Sequence, residues 1–192
     1  MPEPAQGLLF GAPKSKSRTL VFDLETQNSF DDVGGRNKFA ELRMSVGITL
    51  DLDSGEFTVY REPEANALID DLRAAKRVIG FNQKNFDYAV LSRYLKLDWE
   101  TVPSFDILED LTKILGHRVK LDSVAEATLG TKKSGHGLQA IEWFRQGDWD
   151  TLIRYCQDDV KITADVWNFG VKNGHVMIGT WNGPKKVPVN WK

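Results

Sequence analysis

Thr19-Leu20-Val21-Phe22-Asp23-Leu24-Glu25-Thr26 is an apolar run that climbs into two carboxylates separated by one residue. In a β-strand, residues i and i+2 point to the same face. Asp23 and Glu25 would therefore project side by side from the end of a strand spanning about Thr19–Leu24. Like charges held that close repel, and burying either alone is costly. A divalent cation between them removes the conflict. The triplet alone is commonplace, since Asp51-Leu52-Asp53 and Asp148-Trp149-Asp150 share its pattern. The remaining ligands have to come from elsewhere in the chain.

Downstream of Glu25 runs a polar, Gly-containing excursion over residues 27–42. Long ordered loops are often functional, and this one, carrying Arg36 and Lys38, is expected to flank whatever site lies beside Glu25. Strands follow at about Arg43–Leu52 and Glu56–Arg61, joined as a hairpin by the turn signal Asp53-Ser54-Gly55. Pro63 opens a helix to about Lys76 with apolar positions Ala67, Leu68, Leu72 and Ala75. Arg77–Phe81 reads as a short buried strand, and Asn82 or Asn85 as the cap of a helix to about Leu97. After a short strand near Ser104–Ile107 the pattern is helical over 107–115, 122–129, 138–146 and 149–169. The loop Thr131-Lys132-Lys133-Ser134-Gly135-His136-Gly137 falls among these helices. Three meandering strands followed by strand–helix alternation predict an α/β fold with a mixed five-stranded central sheet and flanking helices. Val176–Trp181, Asn182-Gly183 and Lys186–Trp191 read as a terminal β-hairpin, with Trp181 and Trp191 free to pack on the body, the favoured reading, or to stack on a base. The expected organisation is a flexible arm over 1–17, a folded domain over 18–170 and a hairpin extension over 171–192.

The composition narrows the class. Hydrophobic residues make up 41% and charged residues 27% of the 192 positions, as in soluble globular proteins. No apolar run reaches bilayer-spanning length, and the N-terminus lacks the pattern of a secretory signal. One cysteine, Cys156, excludes an internal disulfide framework and fits a reducing, cytoplasmic setting. One Cys and three His are too few for a structural zinc site. The formal charge of −2 gives no bulk basic signature. The local clusters Lys14/Lys16/Arg18, Lys132/Lys133 and Lys185/Lys186 read as solvated surface.

Two further carboxylates stand out. Asp87 would share the apolar stripe of Val90, Leu91 and Tyr94 at helical spacing. A right-handed crossover would set the preceding strand parallel to the first, bringing Asp87 near Asp23 and Glu25. Tyr155 and Asp159 are i and i+4 on the last long helix and share a face, beside a core stripe of Leu152, Cys156, Val160, Thr163 and Trp167. Asp158 turns away. Four carboxylates from three segments form an all-oxygen set suited to Mg²⁺ or Mn²⁺, and two such ions can clamp a phosphodiester.

Phe22-Asp23-Leu24-Glu25-Thr26, Gly80-Phe81-Asn82-Gln83-Lys84-Asn85-Phe86-Asp87 and Tyr155-Cys156-Gln157-Asp158-Asp159-Val160 occur in this order and at separations that resemble the three motifs of the DEDD superfamily, Tyr subtype. That group includes polymerase proofreading domains and RNase D-like enzymes. The resemblance covers about Arg18–Gly170, and segments between the motifs are similar to stand-alone or helicase-linked bacterial exonucleases. It implies a ribonuclease-H-like fold and a two-metal-ion 3′–5′ exonuclease acting on single-stranded DNA or RNA ends, with a helicase as a partner. Asp23, Glu25, Asp87 and Asp159 would hold two Mg²⁺ or Mn²⁺ ions, and Tyr155 would position the attacking water. Leu24 and Thr26 would lie against the 3′-terminal nucleotide, and Asn82 and Phe86 would touch phosphate and sugar. The His subtype would instead need His-x4-Asp. His117 and Asp122 have that spacing, but they fall between helices, with Asp122 placed as an N-cap. An internally cutting ribonuclease-H-like nuclease and a non-catalytic nucleic-acid or helicase-binding module are the competing functions.

Overall fold

A computed structural model describes residues 17–131, 137–181 and 183–192. Residues 1–16 of the arm expected over 1–17, and residues 132–136 and 182, lie outside the described residues. The central sheet has the order β3-β2-β1-β4-β5, from β1 (Thr19–Thr26), β2 (Met44–Asp51), β3 (Phe57–Arg61), β4 (Arg77–Gly80) and β5 (Ser104–Asp106). β1 pairs antiparallel with β2 and parallel with β4, and β4 pairs parallel with β5. The mixed five-stranded sheet is as the sequence predicts. β1 runs two residues further than expected, to Thr26, and its register with β2 shifts between Glu25 and Thr26. A bulge of this kind bends a strand and re-aims its last side chains.

Alternation along β1 divides the core. Leu20, Phe22 and Leu24 pack with α2 (Ala65–Ala74) and α3 (Asp87–Leu91), whereas Val21 packs with the opposite layer. That layer comprises α4 (Ile107–Leu115), α5 (Leu121–Leu129), α6 (Gly137–Gln146) and the 25-residue α7 (Trp149–Asn173). The short α1 (Phe39–Leu42) lies within the excursion after β1. Asp23 and Glu25 share Val21's face by the same alternation, so the sheet presents them toward α7.

The two other acidic triplets have local roles. Asp148 caps α7 by accepting from Thr151 N at 3.2 Å, and Asp51 accepts from Asp53 N at 2.9 Å in the β2–β3 turn. Several expected local features differ. Ala67 is exposed on α2, and Ala65, Leu68, Ile69 and Leu72 form its buried face. Asp122 lies in the first turn of α5, whose N-cap is Lys120. α7 continues past Phe169 to Asn173 and stops at Gly174, whose φ of 66° places it in the left-handed region that glycine tolerates.

β6 (His175–Thr180) and β7 (Gly183–Pro188) form the terminal hairpin. Thr128 on α5 anchors it: its hydroxyl donates to Met177 O and accepts from Met177 N, both at 2.9 Å. Trp191 is buried, stacks on Trp167 at 5.6 Å and donates to Asp110 Oδ2 at 2.8 Å. Trp181 does not pack on the body; it is 100% exposed. No helix among the described residues is long and apolar enough to cross a membrane.

Candidate active site

β4 ends at Gly80, while β1 continues for several residues. The Leu24 amide, beyond the paired stretch of β1 and β4, donates to Asp87 Oδ1 at 3.1 Å. This bond brings a carboxylate from α3 to the main chain between Asp23 and Glu25. Asp87 is 3% exposed. Burial pushes its carboxyl up to about 7, and the nearby Asp106 charge adds to the rise.

From the other side, α7 contributes Tyr155, Cys156 and Asp159, all buried. Cys156 Sγ lies 3.7 Å from Asp23 O and 4.0 Å from Asp23 Oδ2. One ligand atom each from Asp23, Glu25 and Cys156 all fall within 4.8 Å of one another. Burial pushes the Cys156 thiol well above its usual range, and the charges of Asp23, Glu25, Asp159 and Asp87 each push it further. Asp23 and Glu25 at the C-terminal end of β1 thus meet Asp87 through the Leu24 amide, and meet α7, the helix that carries Asp159, through Cys156. The carboxylate oxygens form the hard donor set that divalent cations such as Mg²⁺ and Mn²⁺ take. Tyr155 packs against Trp143 of α6, with ring centroids 5.5 Å apart.

The segment leading to Asp87 is built differently from the expectation. α3 is a short helix, Asp87–Leu91, and neither Asn82 nor Asn85 caps it. Asn82 sits at φ 75°, a left-handed conformation that Asn tolerates better than most residues. Asp106, 3% exposed, holds this turn. Its Oδ1 accepts from Asn82 N at 2.9 Å and its Oδ2 from Lys84 N at 3.1 Å, while Oδ1 also caps α4 through Leu108 N and Glu109 N. Asp106 carries its own local signal, because an acidic residue directly before an apolar helix marks an N-cap. Glu62 carries no such local signal. It accepts from Arg43, Gln27 and Tyr94, tying the end of β1 to β2 and α3's flank. Burial opposes its ionisation, but these hydrogen bonds outweigh it and hold the carboxyl below the usual range.

A cleft of about 480 Å³ opens beside Glu25. Leu24, Glu25, Thr26 and Phe86 line it, together with Ser29, Phe30 and Arg36 of the excursion and Leu138 and Ile141 of α6. Asn82 lies instead in an adjoining depression of about 230 Å³ with Arg36, Phe86 and Arg118. Its Oδ1 accepts from Arg118 Nη2 at 2.7 Å. Phe86 makes edge contacts with Phe30 and Phe39, so it also holds the excursion in place. An Asp32–Arg145 ion pair of 2.9 Å ties the excursion to α6. Lys38 pairs with Glu41 at 3.6 Å and lines neither cavity. His117 and Asp122 flank the start of α5, at i and i+5.

A model of the RNase_H superfamily (RNase_H_2) matches residues 20–169. No curated protein sequence matches the chain. Among solved structures, the family B DNA polymerase from the hyperthermophilic archaeon Pyrobaculum calidifontis is similar, with a TM-score of 0.62 and 19% identity. The match covers 81% of this chain and 24% of the polymerase chain, so the chain spans about a quarter of that protein's length. The chain belongs to the RNase_H superfamily and has its ribonuclease-H-like fold.

Proposed function

We propose that this RNase_H-superfamily chain is a 3′–5′ exonuclease of the DEDD Tyr subtype, hydrolysing single-stranded nucleic-acid ends to nucleoside 5′-monophosphates. The observation that carries this reading is the meeting at the end of β1 of Asp23 and Glu25 with Asp87, which holds the Leu24 amide, and with Cys156 of the helix that bears Tyr155 and Asp159. Asp23, Glu25, Asp87 and Asp159 would hold two divalent cations, Mg²⁺ or Mn²⁺, which when bound neutralise phosphodiester charge and lower the pKa of water. Tyr155 orients the attacking water through its hydroxyl. Leu24, Thr26 and Phe86 line the cleft and receive the 3′-terminal nucleotide, while Asn82, beside Arg118, faces the strand one step back. The fold likeness to a DNA polymerase supports a nucleic-acid substrate.

Metal dependence and end dependence test this together. Protein stripped with EDTA is expected to lose hydrolysis of a linear single strand and to regain it with Mg²⁺ or Mn²⁺. A circular single strand should remain whole throughout. Cleavage of the circle would assign the site to internal cutting.

Arg36 faces both the cleft and the depression, whereas Lys38 is engaged with Glu41. Arg36→Ala is therefore expected to weaken single-strand affinity several-fold at low salt, and the deficit should shrink as salt rises. Lys38→Ala should stay within about twofold of the parent. Titration of a labelled oligomer at two salt concentrations reads both, and an unchanged affinity for Arg36→Ala would remove the excursion from the substrate path.

A further inference from the structure

The terminal hairpin has a chemistry unlike the rest of the chain. Residues 175–192 contain three lysines and no acidic residue, in a protein whose formal charge is −2. At the tip, Trp181 is 100% exposed, and Lys185 and Lys186 on β7 are exposed as well. The hairpin is nevertheless held firmly. Thr128 clamps Met177 on both polar main-chain atoms, Trp191 is buried between Trp167 and Phe105, and Arg77 donates to a main-chain oxygen of Lys192. The anchored hairpin therefore presents an indole to solvent at its turn, with one exposed lysine on each face of β7.

We propose that this hairpin is a second nucleic-acid contact outside the catalytic cleft, in which Trp181 stacks on an unpaired base and Lys185 and Lys186 meet the phosphate backbone. Base–aromatic stacking next to positive charge is the general solution for sequence-tolerant binding of single strands. The flanking hairpin positions argue against a protein partner. Thr180, Gly183, Pro184 and the two lysines supply no contiguous apolar surface around the indole, and protein hot spots need such a ring. The inference rests on the reading of the substrate as nucleic acid and adds a location to it: the contact extends the bound strand beyond the 480 Å³ cleft, so it acts only on long substrates.

The test compares Trp181→Ala/Lys185→Glu/Lys186→Glu with the parent protein. Binding of labelled oligothymidylate and oligouridylate of about 30 nucleotides is measured by anisotropy in EDTA. Hydrolysis of thymidine 5′-(p-nitrophenyl phosphate), which has no upstream nucleotide, is measured in Mn²⁺. The triple variant is expected to bind both oligomers at least about tenfold more weakly, with a shallower salt dependence. Hydrolysis of the small ester should be unchanged, which also shows that the fold is intact. Trp181→Phe with both lysines kept should bind nearly as the parent does. Unchanged oligomer binding by the triple variant would overturn the inference and redirect the hairpin to a protein or membrane partner. An equal loss on the small ester would overturn it too, because the hairpin would then belong to the catalytic cleft. The exonuclease reading fails separately, if the parent protein in Mn²⁺ hydrolyses neither the small ester nor the oligomers.

Discussion

Asp87→Asn is expected to abolish hydrolysis and, in the same molecule, to raise the melting temperature of the metal-free protein. The carboxylate is buried and accepts the Leu24 amide at 3.1 Å, a bond that an Asn side-chain oxygen can keep. The two forms differ in charge. The folded-state pKa of about 7 lies well above the ordinary range of an aspartate carboxyl. Between the two the folded protein holds a proton that the unfolded chain has released, so stability falls as pH rises through the window. Above pH 7 the buried charge bears its full penalty, which for a gap of this size reaches as much as about 4 kcal/mol. The Asn variant carries no such penalty. Thermal melts in EDTA should therefore favour Asp87→Asn by several degrees at pH 8 and converge with the parent near pH 4. Added Mn²⁺ should stabilise the parent more than the variant. A variant less stable than the parent at pH 8 in EDTA would mean that burial of Asp87 is not the dominant strain in the empty site.

Gly170→Ala is expected to be among the most destabilising single-methyl changes available. A Cβ at this position would lie 2.2 Å from Cε3 and 2.4 Å from Cζ3 of Trp191. Ring and helix cannot both keep their places. Helix propensity favours alanine by about 1 kcal/mol, but displacing a buried tryptophan costs about 3–5 kcal/mol. The stack on Trp167 and the bond to Asp110 would be lost together. A net loss of about 2–4 kcal/mol follows, read as a drop in Tm. In a Trp191→Ala background the clash is gone, so Gly170→Ala should there be neutral or stabilising. Additive effects of the two changes would show that Trp191 does not occupy the seat at Gly170.

The strands were legible because each carries its own pattern. Leu20–Phe22 is continuously apolar, and Asp53-Ser54-Gly55 marks the β2–β3 turn locally. The parallel pairing of β4 on β1 followed from the handedness of crossovers, and it is what brings Asp87 to Leu24. The entry to α3 was misread for a physical reason. Asn82 and Asn85 have the composition of caps, but the amides of 82 and 84 are taken by Asp106, a residue some twenty positions away that no local rule connects to them. The same holds for Glu62, whose three partners come from β1's end, β2's start and the segment after α3. The tryptophans of the tail show the limit of residue type alone. Trp181 and Trp191 have the same chemistry, and only the surroundings, a Gly170 groove for one and a hairpin tip for the other, decide which is buried.

The central claim, that the four carboxylates and Tyr155 remove nucleotides from a 3′ end, is tested most directly by the products from 3′- and 5′-labelled single-stranded DNA and RNA oligomers in Mn²⁺. The 5′-labelled strand should give a ladder that shortens one nucleotide at a time. The 3′-labelled strand should release labelled mononucleotide from the first turnover, and Asp23→Ala should do neither while melting as a folded protein. Internal fragments at early times, or a ladder from the 3′-labelled strand, would contradict the claim.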